Sequence, residues 1–127
     1  MNRYLTIGLS MLVGAAFGGA FIQALHAQAK SPVYQVTLQE VSNGSALLKE
    51  FVPAARASIK AHGGKPIATG APIALDGKLD KDRVIINEWP SVEAAKAWYN
   101  SPDYQKAREI GNKYAKFTIV LVPGFSP

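Results

Sequence analysis

Hydrophobic and polar positions alternate along most of the chain with two distinct periods. In "VYQVTLQEV" (Val33 to Val41), Tyr34, Val36 and Leu38 take turns with Gln35, Thr37 and Gln39. Period two with β-branched residues predicts a strand with one apolar face and one polar face. After "SNGS", where Ser45 is expected to cap a helix, "ALLKEFVPAARASIKAH" sets Leu48, Phe51, Val52, Ala55 and Ile59 at helical spacing. Pro53 has no amide hydrogen and its ring meets the preceding turn, so a kink or a late helix start is expected there. "HGG" ends the element, because Gly63 or Gly64 takes the left-handed conformation at low cost.

The second half repeats the theme. "KPIATGAPIAL" is extended but interrupted by Gly70 and Pro72, the pattern of an irregular or edge strand with a bulge. Asp76-Gly77 marks a turn. "DRVIINEW" is a better strand, with Val84, Ile86 and Glu88 on one face and Ile85, Asn87 and Trp89 on the other. Pro90 breaks it, Ser91 caps "VEAAKAWYN", and Ser101-Pro102 starts a second helical piece, "YQKAREIGNKYA". The apolar run "KFTIVLVPG" predicts a last strand covered on both sides.

The order β-α-β-β-α-β is that of the ferredoxin-like α+β sandwich, a four-stranded antiparallel sheet with its helices on one face. The other face is expected to be apolar as well, since Thr118, Val120 and Val122 sit beside Phe117, Ile119 and Leu121. An uncovered apolar face is an association surface. Two copies packing sheet to sheet would cover it, which predicts a homodimer.

The first 29 residues are of a different kind. Arg3 is the one charge before Lys30, and the segment between is rich in Leu, Gly and Ala. Ala27 and Ala29 bracket Gln28 in the small-x-small pattern of a cleavage site, so an export signal cut near Ala29 is expected. The protein would then be periplasmic or secreted, with one domain over residues 30–127. Leu5 to Leu25 is also close to the roughly 20 apolar residues that span a bilayer. An uncleaved inner-membrane anchor is therefore the alternative, and membrane contact is expected only in that case. The chain has no cysteine, which excludes disulfides, thiolate chemistry and lipoprotein attachment.

Loss of residues 1–29 leaves 13 Lys and Arg (14 less Arg3) against 9 Asp and Glu, a net charge of +4. The cations are scattered, and "KLDKDR" offsets its own with two aspartates, so no nucleic-acid footprint is expected.

"DRVIINEWPSVEAAKAWYNSPDYQKAR" resembles the signature of the bacterial family known as domain of unknown function 1330. "HGGK" and the terminal "IVLVPG" match it too, so the resemblance runs from about Val33 to Gly124. It implies a dimeric α+β barrel, in which two ferredoxin-like sheets close on each other. It implies no reaction. The wider superfamily holds small monooxygenases, haem-degrading proteins and muconolactone isomerases, and fold does not fix function. Two positions depart from the family pattern. Asn87 stands where an apolar residue is usual, and Thr69 stands where an arginine often precedes the glycine, here Gly70.

Candidate chemistry is sparse. His62 would be a general base or haem ligand in the cleft beside the sheet; as structure, it sits at the negative end of a helix. Glu88 shares a face with Val84 and Ile86, where partial burial would make it a usable base, or it pairs with Arg83 or Arg108. Tyr99 and Tyr104 are candidates to line a ligand pocket, while Trp89 and Trp98 are expected in the core. Asp76, Asp80 and Asp82 lack calcium-loop spacing, and neither a serine elbow nor a phosphate loop is present. No metal and no cofactor are expected. The function these residues predict is binding of a small apolar or aromatic molecule in a pocket beside the sheet. Two alternatives stay open. One is a cofactor-independent enzyme of proton-transfer or monooxygenase type, with Glu88 as base and His62 and Tyr104 positioning the substrate. The other is a purely structural dimer.

Overall fold

A computed structural model describes residues 31–125 of the chain. The expected signal or anchor at residues 1–29 lies outside them. Four strands, β1 (Val33–Val41), β2 (Lys65–Gly70), β3 (Arg83–Trp89) and β4 (Ala115–Pro123), form one antiparallel sheet in the order β2-β3-β1-β4. A single turn, α1 (Gly44–Ala46), a π-helical turn at Leu47–Phe51 and helix α2 (Val52–Ala61) connect β1 to β2. Helices α3 (Val92–Tyr99) and α4 (Pro102–Gly111) connect β3 to β4. This is the expected ferredoxin-like α+β sandwich. Among the described residues no helix is long and apolar enough to cross a membrane.

The π-turn accounts for Pro53. In a straight α-helix the proline ring would collide with the carbonyl of Lys49, four residues back. The wider turn has the Val52 amide bonding to Leu47 O, five residues back, and α2 then starts with Pro53 in its first turn. The helix ends as a Schellman motif: Gly64 N–H donates to Ile59 O at 2.9 Å and Gly63 N–H to Lys60 O at 3.2 Å, with Gly63 at φ +89°.

Ser91 and Ser101 cap α3 and α4 as expected, accepting from the amides of Ala94 and Tyr104. Ser45 does not cap the first helix. Asn43 does so instead: its extended backbone lets Oδ1 accept from Ala46 N at 3.1 Å, which starts the helix at Gly44. The edge strand β2 stops at Gly70, earlier than its apolar pattern implies, and carries a bulge between Pro66 and Ala68. Strand β4 is covered on one side only. Phe117, Ile119 and Leu121 are half-buried on the helical side, whereas Val120 and Val122 stay 45% and 47% exposed.

The core lies between helices and sheet in two adjoining groups. Leu47, Phe51, Ala55, Ala107 and Ala115 form one; Ile59, Trp89, Ala95, Trp98 and Tyr104 form the other. Trp89 and Trp98 are 0% and 2% exposed, with ring centroids 5.1 Å apart. Burial of such side chains contributes roughly 1.5–3 kcal/mol each. Helix α4 passes so close to Phe51 that a Cβ on Gly111 would sit 2.6 Å from its ring.

The two sheet faces carry an unusual assignment. On β1 the polar residues Gln35, Thr37 and Gln39 face the helices and are buried, while Tyr34, Val36 and Leu38 face the open side. The ladder aligns Val36 with Ile86 and Val120, and Leu38 with Val84, so the open side is apolar across three strands.

Candidate functional site

The buried polar face of β1 floors a cavity of about 230 Å³ between the sheet and α2. Strand alternation puts Gln35, Thr37 and Gln39 on its floor beside Ile85, Asn87 and Arg83 of β3. Helix α2 roofs it with Ala55, Arg56 and Ile59, and β2 closes the edge with residues 66–69. Phe51, Phe117, Trp98 and Tyr104 complete the walls.

Polar groups taken from water cost free energy unless hydrogen-bonded. At one end of the cavity they are satisfied. Gln35 Oε1 accepts from Trp89 Nε1 at 3.0 Å and from Asn87 Nδ2 at 3.2 Å, while Gln35 Nε2 donates to Thr37 Oγ1 at 2.6 Å. Trp98 Nε1 donates to Ser58 Oγ at 3.1 Å, and the Ser58 hydroxyl in turn donates to Ala55 O at 2.8 Å. The other end differs. Gln39 is 3% exposed and its Oε1 has no hydrogen-bond partner. It faces Arg83 directly across the β1–β3 ladder, and Arg83 Nη2 donates to Thr69 Oγ1 at 3.2 Å. Thr69 thus holds an arginine from the next strand.

The four residues singled out in the sequence do not converge. Tyr104 alone lines the cavity. Burial pushes its phenol up from the ordinary value, and the Arg108 guanidinium, whose Nη1 donates to the hydroxyl at 3.4 Å, pulls the other way. Tyr99 is 41% exposed, with its ring 5.8 Å from that of Tyr104, and it lines a separate groove with Arg108, Ile119 and Leu121. His62 caps α2 and lies 3.2 Å from Asp103 Oδ1, tying α2 to the start of α4. The Ser101 hydroxyl, and after it His62, hold the Asp103 carboxyl below its ordinary range. Glu88 does share a face with Val84 and Ile86, but that face is the open one. Its ladder neighbours are Tyr34 and Lys65, and the sheet separates it from the cavity.

Gln35, Thr37, Gln39, Arg56 and Arg83 were the residues that sequence reasoning passed over. One signal pointed to them: Asn87, a polar residue on the same strand face as Ile85 and Trp89. Among the described residues no three His, Asp or Glu side chains gather as metal ligands would. The ionisable groups lining the cavity are Arg56, Arg83 and Tyr104, with no carboxylate or imidazole beside them. The lining thus sets donors and acceptors around an apolar middle.

These features define a ferredoxin-like α+β protein with one helical and one open sheet face. The chain belongs to the family described as Domain of unknown function (DUF1330), whose family model matches residues 32–125. No curated protein matches it. Among solved structures it is similar to a protein of unknown function from Rhodopseudomonas palustris, at 20% identity and TM-score 0.64, covering 86% of this chain and 94% of that one. It is similar to a dimeric protein of unknown function with a ferredoxin-like fold from Bacteroides fragilis, at 13% identity and TM-score 0.55, covering 73% and 96%. A third is SnoaB, a cofactor-independent oxygenase from Streptomyces nogalater, at 14% identity and TM-score 0.58, covering 76% and 96%. Likenesses this distant show the fold alone.

Proposed function

We propose that the protein binds a small aromatic molecule in the cavity between the sheet and α2, as a homodimer joined through the open sheet faces. The observation that carries the binding reading is the cavity itself: an apolar middle with placed polar groups is the usual form of a small-molecule site. Its size suits one ring, since an engineered apolar cavity of about 150 Å³ holds benzene. The apolar open face of β1, β3 and β4 supports the dimer, as does the dimeric Bacteroides fragilis neighbour. Export rests on the sequence of residues 1–29.

The oxygenase neighbour keeps a catalytic version in view, yet an enzyme working in this cavity would have to do so without Glu88 or His62 at the substrate. Of the ionisable groups lining it, Tyr104 would be the one able to exchange a proton, since Arg56 and Arg83 stay charged. Binding is the reading the geometry favours.

Thermal shift and calorimetry with phenol and indole test it. Both probes are expected to raise the melting temperature of the full chain and to lose that effect in Thr37→Phe, which fills the cavity floor. Unchanged ligand response in a folded Thr37→Phe variant would sink the proposal.

A further inference from the structure

We propose that the cavity is built for an aromatic hydroxy acid, whose carboxylate is met by Arg83 and Arg56 and whose hydroxyl is met by Gln39. This rests on the binding reading above and goes beyond it, because an apolar ring alone would need none of these three residues.

The first ground is charge. Both cations that line the cavity lack a carboxylate within salt-bridge reach among the described residues, where the ion pairs are His62–Asp103 and Lys81–Glu40. Arg83 is half-buried, and its side-chain hydrogen bond goes to a neutral hydroxyl, Thr69 Oγ1. A guanidinium held in partial burial by one neutral partner has donors left for the planar, bidentate grip of a carboxylate. Asp82, its neighbour in sequence, is not within salt-bridge reach of it, and its Oδ2 instead accepts from Val41 N at 2.7 Å.

The second ground is independent of charge. Gln39 Oε1 is buried on the cavity floor without a donor, whereas both polar atoms of the Gln35 amide, four residues earlier, have partners. Buried polar atoms in folded proteins nearly always have a partner, and an orphan in a cavity wall marks where one is expected to arrive. A hydroxyl suits the position because it donates to the oxygen, and it also accepts if the amide turns over.

The third ground is placement. Gln39 and Arg83 are directly opposite in the β1–β3 register, and such residues hold their Cβ atoms about 5 Å apart. A carboxylate and a hydroxyl on one ring span that distance. Phe51, Ala55, Ile67, Ile85 and Phe117 offer the ring an apolar surround. The volume of about 230 Å³ admits one substituted ring and falls far short of a porphyrin.

Calorimetry on the full chain with 3- and 4-hydroxybenzoate, benzoate and phenol separates the parts. A hydroxybenzoate is expected to bind at least tenfold tighter than either benzoate or phenol. Arg83→Met should erase its advantage over phenol while leaving phenol affinity in place. Gln39→Leu should erase its advantage over benzoate while leaving benzoate affinity in place. Should Arg83→Met not fold, Arg56→Met and rising salt are expected to shrink the hydroxybenzoate-to-phenol ratio in the same direction. If all four probes bind alike, or the ratios survive these variants, the hydroxy-acid assignment is overturned while the cavity reading stands. If none binds, both fall together.

Discussion

The indole N–H of Trp89 donates to Gln35 Oε1 at 3.0 Å, joining the end of β3 to the start of β1 on the helical face of the sheet. Asn87 donates to the same oxygen, and the other end of the amide holds Thr37. Gln35→Leu would keep the side chain's volume and strand two buried donors. Each unsatisfied buried donor costs roughly 1–3 kcal/mol, so the variant is expected to lose about 2–4 kcal/mol of stability. Urea unfolding followed by tryptophan fluorescence measures it. A loss within experimental error would show that the network contributes no net stability.

Gly63 and Gly64 are neighbours with different jobs, and alanine at each separates them. Gly63 sits at φ +89° with nothing within 4 Å of a Cβ, so Gly63→Ala meets backbone strain of about 1–2 kcal/mol and leaves packing alone. At Gly64 a Cβ would lie 2.6 Å from Ile59 Cγ2 and 2.7 Å from Trp89 Cζ2. Gly64→Ala must therefore move the tryptophan, with a cost of about 1–3 kcal/mol. Near-ultraviolet circular dichroism discriminates, because Trp89 and Trp98 are 5.1 Å apart. Its aromatic bands should change in Gly64→Ala and not in Gly63→Ala.

The order of elements was legible because each signal is local: period two in β1 and β3, serine caps before α3 and α4, glycines after α2. The direction of the faces was not. Alternation in β1 defines an apolar and a polar side without saying which meets the helices, and here the polar side goes inward to line a cavity. Which way that face points decides which residues reach the cavity. Gln35 and Gln39 lie on the polar side of that alternation, and Glu88 is half-buried beside Val84 and Ile86 on the side of the sheet away from the cavity. His62 was legible as a helix-end residue, but its partner Asp103 lies 41 positions away and no local pattern joins them. Ser45 failed as a cap because Asn43, with the better-placed carbonyl oxygen, acts first.

Asp103 makes stability depend on acid in a defined direction. Its folded carboxyl titrates below the ordinary 3.8, first through the Ser101 hydroxyl and then through His62. A lowered folded pKa means that its contribution is complete above the unfolded value and disappears as pH falls through the folded one. Asp103→Asn should therefore be less stable than the wild type at pH 6, with the gap closing below about pH 4. Urea midpoints of both proteins across that range test it. A gap that persists unchanged to pH 2.5 would assign the effect to lost helix capping geometry and not to ionisation.

Val36 is the most direct handle on the open sheet face. It lies between Ile86 of β3 and Val120 of β4, with Tyr34 and Leu38 on either side along β1. In a sheet-to-sheet dimer this position would be central and dry, and an unpaired charge there would cost several kcal/mol on each copy. In a monomer the same charge would face water and cost little, apart from a small loss of strand propensity. Val36→Lys thus reads out the interface while sparing the fold. Light scattering is expected to give the mass of two copies for the wild type and of one for Val36→Lys, with far-ultraviolet circular dichroism unchanged. Glu109→Lys, exposed on α4 and on the helical side, serves as the charge control and should remain dimeric. A wild type that is monomeric at tens of micromolar, or a Val36→Lys protein that stays dimeric, would remove the sheet face as the site of association.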